Sequence, residues 1–65
     1  MSYSKEFMHI ILEIIDQLKT KHTKDVFTEK SLKILCQSKA VLREDHWLKV
    51  RKYILLRLKE ERTHG

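Results

Sequence analysis

The residues best suited to binding chemistry lie in the last third of the chain. From Arg43 to Arg62, basic and apolar side chains are interleaved at helical spacing. At about 100° per residue, a helix over this range has one apolar face and one cationic face. Cations along one helix can bind phosphates, and a tyrosine among them can stack on a base or pack against a sugar. The cationic face and its flanks comprise Lys49, Arg51, Lys52, Tyr53, Leu56, Arg57, Lys59 and Arg62.

Three interpretations of this face remain open. In the first, its lysines and Arg51 contact nucleic-acid phosphates and Tyr53 packs beside them. In the second, Tyr53 and Leu56 anchor the helix on an acidic surface of a partner protein, and the lysines form the rim. In the third, the face is solvated and the long basic side chains only cover the core. Leu56 favours a binding role because no residue of its own helix covers it, although single exposed leucines are common.

Nucleophilic and metal chemistry find little support in the sequence. Cys36 could act as a nucleophile with His46 as its base, but no third group is placed to orient the histidine. Cys36 lies beside Leu32 and Leu35, where cysteine acts as a small hydrophobe. The four histidines are scattered, and no two of them have a metal-ligand spacing. We therefore expect no enzyme, no metal and no cofactor.

The length of the chain limits it to a single domain, residues 1–65. So short a chain has a marginal core, and domains of this size usually need a disulfide, a metal or a second subunit. With one cysteine an internal disulfide is excluded, so we expect self-association. The free thiol and the lack of an export signal suggest a cytoplasmic protein. No apolar run approaches the ~20 residues that span a bilayer, so we expect no membrane partner.

The net charge is unevenly distributed along the chain. Residues 1–26 hold four basic and four acidic residues, whereas residues 27–65 hold ten basic and five acidic residues. The whole excess of +5 therefore belongs to the second part of the chain. A local excess of this kind favours polyanions or acidic partner surfaces.

The sequence predicts an all-α fold of three helices. It contains no proline, and its only glycine is the last residue, which argues against the tight turns of hairpins. Helix one is predicted from Ser4, its N-cap, to Lys21. Helix two is predicted from Glu29 to Gln37 or Lys39. Thr28 is its expected N-cap, with Phe27 and Leu32 forming a hydrophobic staple and with Leu32, Leu35 and Cys36 on one face, opposite Ile34.

Helix three is predicted from Glu44 to Arg62, after a break within Ser38–Glu44. Its expected inner face is Trp47, Val50, Ile54 and Leu58, with Leu48 and Leu55 beside it. The indole N–H of Trp47 could reach a backbone carbonyl. A rival interpretation is one bent helix from Glu29 to Arg62. Helices two and three could also form a helix-turn-helix, although the turn lacks glycine and the outer face lacks a base-reading Asn or Gln.

Helix one has an unusually wide apolar arc. Its predicted central stripe is Phe7, Ile11, Ile14 and Leu18, widened by Met8, Leu12 and Ile15 on one side and Ile10 on the other. The helix is either flanked by both other helices or shared with a second copy of the chain. The predicted dimer interface comprises Met8, Ile10, Leu12, Ile15 and, on helix two, Ile34.

These patterns together predict a small, self-associating three-helix bundle that binds a partner without catalysing a reaction. Nucleic acid is the first expected partner of helix three, and an acidic protein surface is the alternative.

Overall fold

A computed structural model describes residues 3–63, with side chains as far as Lys59. The chain forms three helices: α1 over Ser4–Lys21, α2 over Lys24–Ser38 and α3 over Glu44–Thr63. Within residues 3–63 there is no strand. The predicted all-α fold of three helices is confirmed.

The three helices form an up-down-up bundle in which each helix packs against both others. Helices α1 and α3 run parallel, because Ser4 contacts Arg43 at one end of the pair and Asp16 contacts Tyr53 further along. The bundle is long and narrow, with extents of 44 × 17 × 16 Å. Lys24 at the start of α2 lies near Lys59 of α3. Further along, Leu35 of α2 contacts Trp47 near the start of α3. Helix α2 therefore lies antiparallel along α3 and does not cross it as the first helix of a helix-turn-helix would.

Helix α1 has the predicted bounds, but Ser4 does not cap it. Tyr3 occupies the N-cap position and makes no side-chain capping bond. Ser4 is buried, and its hydroxyl accepts a hydrogen bond from the Arg43 backbone N–H at 2.8 Å and lies 2.7 Å from Nδ1 of His46. The N-termini of the parallel helices are adjacent, so the serine hydroxyl joins them instead.

Helix α2 begins at Lys24, five residues before the predicted start at Glu29. Thr23 is its N-cap residue, and the Thr28 hydroxyl lies one turn inside the helix, where it donates to the Lys24 carbonyl at 2.8 Å. Phe27 is fully buried, whereas Leu32 is exposed, so the two do not form the predicted staple. The early start places Phe27 on the inner face of the helix rather than before it.

The predicted break between α2 and α3 is confirmed, and the rival single bent helix is wrong. The Ser38 carbonyl accepts hydrogen bonds from the backbone N–H groups of Val41 and Leu42, at 3.0 and 2.9 Å. No residue that the structure describes has a positive φ, so this turn needs no glycine. Trp47 also helps to end α2, because its indole N–H donates to the Leu35 carbonyl at 2.8 Å, as the sequence suggested. The last carbonyls of a helix lack partners within it, and these bonds supply them.

One apolar core joins the three helices. Its buried members are Met8, Ile15, Phe27, Leu35, Leu42, Val50 and Ile54. Partly buried around them are Ile11, Leu12, Leu18, Trp47, Tyr53 and Leu58.

The inner faces differ in part from the predicted ones. On α3 the predicted inner face is right, because Val50 and Ile54 are buried and Trp47 and Leu58 are partly buried against the core. Leu48 and Leu55, which were predicted beside that face, are exposed. On α2 the buried positions are Phe27, Ser31, Leu35 and Ser38, whereas Leu32 and Cys36 are exposed. On α1 the buried positions are Ser4, Met8 and Ile15, whereas Phe7 and Ile14 from the predicted central stripe are exposed. When the apolar residues of a helix extend over more than one face, the sequence does not show which of them the neighbouring helices bury.

Candidate partner-binding surfaces

The outer side of α3 displays most of the predicted cationic residues. Lys49, Arg51, Lys52 and Lys59 are exposed, and Leu56 is 49% exposed among them. Arg62 lies beyond Lys59, the last residue whose side chain the structure describes. This face therefore combines lysines with uncovered apolar area.

Tyr53 and Arg57 lie on a different side of α3, where they contact α1. The Tyr53 hydroxyl donates a hydrogen bond to Oδ1 of Asp16. Nε of Arg57 lies 3.4 Å from the same oxygen, and the Arg57 guanidinium lies 5.9 Å from the centre of the Tyr53 ring. Both side chains are half-buried. They join α3 to α1 and are not grouped with the lysines of the outer face.

An open groove of about 550 Å³ runs between the start of α2 and the end of α3. Its apolar part consists of three leucines from α3, and among the side chains that the structure describes, every charged residue on its walls is a lysine. The lining residues are Lys24, Thr28, Lys52, Leu55, Leu56, Leu58 and Lys59. The arrangement combines apolar anchoring area with positive charge from both helices.

The sequence prediction missed this groove because it started helix two at Glu29. Lys24 then fell in a loop and Thr28 at the N-cap, so neither could form a helical wall of the groove. With α2 beginning at Lys24, the residues Lys24 and Thr28 share one side of that helix at a spacing of four. Lys52, Leu55 and Lys59 are spaced three and four residues apart, so they likewise share one side of α3.

A smaller cavity of about 310 Å³ lies near the turn between α2 and α3 and is lined by Lys39, Leu42, Glu44, Trp47 and Leu48. The Lys39 ammonium lies 4.8 Å from the centre of the Trp47 ring, so the aromatic wall already has a cation over it. This arrangement stabilises the turn.

The first turn of α3 is acidic. Glu44 and Asp45 both lie there. Desolvation raises the pKa of Asp45, but the hydrogen bond from the His46 backbone N–H and the charges of His46 and Arg43 outweigh it and lower the pKa below its usual value. The carboxylate is therefore ionised at neutral pH, at the end of α3 where a recognition helix would approach phosphates.

The five residues predicted for a dimer interface do not form one surface. Met8 and Ile15 are buried in the core of their own chain, and Leu12 and Ile34 are half-buried. Only Ile10 is exposed. The exposed apolar residues of α1 are instead Tyr3, Phe7, Ile10 and Ile14, which lie beside the predicted set.

Cys36 is exposed on α2, and His46 is engaged with Ser4. Among the residues that the structure describes, no group of His, Cys, Asp or Glu side chains could hold a metal ion. None of the helices, over the same part of the chain, is long and apolar enough to cross a bilayer.

No protein-family model, no curated protein and no solved structure matches this chain. Its geometry defines a small all-α bundle with a lysine-lined, leucine-floored groove between its last two helices.

Proposed function

We propose that the chain is a small non-enzymatic binding protein whose α2/α3 groove takes an acidic, amphipathic segment of a partner protein. The observation that carries the proposal is the combination of exposed leucines with lysines on both walls of one groove. An amphipathic helix laid in an apolar groove is a common mode of peptide recognition. A segment with acidic residues on either side of an apolar face complements this groove in both respects.

The leucines would supply most of the affinity. Leu55 and Leu56 are 45% and 49% exposed, so a bound segment would remove a large apolar area from water. Complete burial of one leucine side chain is worth about 1.5–3 kcal/mol. Lys24, Lys52 and Lys59 would act mainly on association rate and partner choice, as charges at the rim of an interface do.

Nucleic acid is a weaker fit to the same face. A phosphate backbone would not remove the exposed leucines of this face from water. The Tyr53 hydroxyl is bound to Asp16, so its ring is held against α1 and is not available for stacking on a base. The acidic first turn formed by Glu44 and Asp45 would repel phosphates at the N-terminus of α3. We therefore expect no specific binding of a DNA duplex, and the experiment below includes one as a probe.

Fluorescence anisotropy with labelled probes tests this function. The probes are an amphipathic helical peptide of leucines and glutamates, the same peptide with lysines in place of glutamates, and a random-sequence DNA duplex. We expect binding of the acidic peptide only, weakened by the change Leu56→Ser. Binding should also weaken as salt rises from about 50 to about 200 mM, since exposed charges are screened.

The chain offers a matched control for the role of charge. Lys52 lines the groove, whereas Lys49 lies outside it on the same exposed side of α3. Lys52→Glu should weaken peptide binding about tenfold, which corresponds to about 1.4 kcal/mol, and Lys49→Glu should change it far less. Equal losses from both changes, or tighter binding of the duplex than of the acidic peptide, would exclude the groove as a peptide site.

A further inference from the structure

Helix α1 and its N-cap residue carry an exposed apolar stripe beside the buried face, on the flank next to α2. Tyr3, Phe7, Ile10 and Ile14 are 62%, 45%, 52% and 39% exposed. Their spacing of four, three and four residues is that of the seam of a coiled coil, which packs against another helix. The four residues are neighbours on one side of the helix and form a contiguous apolar patch, and such patches often mark an interaction site.

Acidic residues border the stripe on one edge. Asp16 marks the side of α1 that faces α3, because it contacts Tyr53 and Arg57. At about 100° per residue, Glu6 and Glu13 lie between that side and the stripe. Both are exposed. The edge of the stripe away from α2 is therefore negative.

Basic residues border the stripe on the opposite edge, which α2 forms. Lys24 and Thr28 line the groove on the flank of α2 toward α3, so the opposite flank borders the outer side of the contact between α1 and α2. At about 100° per residue, Lys30 and Lys33 fall on this opposite flank. Both are exposed. The stripe thus lies between a negative edge on α1 and a positive edge on α2.

The charge of each helix also favours contact through α1. Helix α1 has three basic and three acidic residues and is neutral. The basic excess lies elsewhere, so two copies that meet through α1 keep their most cationic surfaces apart. Contact through α3 would bring like charges together.

From this pattern we propose that a second copy of the chain covers the stripe, with the two α1 helices parallel and the two-fold axis running along them. In this arrangement the glutamate edge of each copy faces the lysine edge of the other. An antiparallel pair would place glutamates opposite glutamates and lysines opposite lysines, which is unfavourable. The contact is isologous, so it closes at two copies.

The dimer goes beyond the proposed function and does not depend on it. The α2/α3 groove lies on another face of the bundle and stays open in each copy. A dimer would therefore carry two grooves, which raises the avidity for any partner with two acidic segments.

Sedimentation and cysteine cross-linking test both the dimer and its orientation. Cys36 is exposed and is first replaced by serine to remove its thiol. In the parallel dimer Ile14 meets its own counterpart across the axis, so Ile14→Cys should form a disulfide-linked dimer under mild oxidation. Leu56→Cys, on the other side of the molecule, should not. A chain that sediments as a monomer at all concentrations would overturn the proposal. Cross-linking of Ile14→Cys only to a Tyr3→Cys chain would overturn the parallel orientation.

A pair of lysine substitutions tests the stripe itself. Ile10 and Leu48 are exposed to a similar extent, 52% and 47%, but Leu48 lies outside the stripe. Ile10→Lys should weaken dimerisation at least about tenfold, and Leu48→Lys should leave it unchanged. Circular dichroism verifies that both variants keep their helical content. Equal dimerisation of the two variants would mean that the stripe is not the interface.

Discussion

At the scale of single residues, Ser31 is the least satisfied position of the core. It is fully buried on the inner face of α2, and its hydroxyl has no hydrogen-bond partner among the residues that the structure describes. Ser38 lies on the same face and is also buried, but its hydroxyl donates to the Leu35 carbonyl at 3.0 Å. The sequence alone cannot separate these two serines, because a polar residue in a helical pattern indicates solvent rather than the core.

We expect Ser31→Ala to raise the free energy of unfolding by about 1 kcal/mol. The change removes a buried hydroxyl without a partner and introduces a better helix former. Urea denaturation followed by circular dichroism gives the difference. Ser38→Ala is the matched control and should bring no such gain, because it also removes a hydrogen bond. A loss of stability in Ser31→Ala would show that its hydroxyl is satisfied after all.

At the scale of helices, the sequence predicts α1 and α3 more accurately than α2. Helix α1 begins at Ser4, and α3 begins at Glu44, with acidic residues in its first turn. For α2 the sequence predicts Thr28 as the N-cap, whereas the structure has Thr23 at that position. The choice between the two depends on Phe27, which is buried against the other helices only if α2 begins before it. The start of α2 is therefore set by packing between helices, which the local sequence does not show.

The effect of Thr28→Ala on stability has opposite signs for the two possible starts of α2. In a helix that begins at Lys24, Thr28 is an interior residue, and alanine should stabilise the protein by up to about 0.7 kcal/mol. If Thr28 were the N-cap, alanine would cost about 1 kcal/mol. Chemical denaturation measures the sign. Glu29→Ala serves as a reference for an exposed interior position of the same helix, where the change should be small.

At the scale of the whole molecule, fold class could be predicted from the sequence, but the binding surfaces could not. The absence of internal proline and glycine and the helical spacing of apolar residues were sufficient for three helices. The groove and the α1 stripe depend on how each helix is rotated about its axis. Apolar arcs as wide as that of α1 leave this rotation undetermined, because several choices bury a similar number of apolar residues.

Dimerisation also predicts a thermal stability that depends on concentration. Association that favours the folded state raises Tm as the protein concentration rises. We therefore expect calorimetric Tm values to increase across a dilution series of the unmodified chain. The Ile10→Lys variant should show a Tm that does not change with dilution. A constant Tm in both proteins would contradict a dimer in the concentration range measured.

The contact of Ser4 with Arg43 has a consequence for the order in which the chain acquires its structure. The hydroxyl of Ser4 and the backbone N–H of Arg43 are 39 positions apart. Asp16 and Tyr53 are 37 positions apart. Contacts between positions so far apart cost more loop-closure entropy than contacts within one helix. During synthesis, the side of α1 that packs against α3 therefore stays uncovered until residues 43–53 have been made.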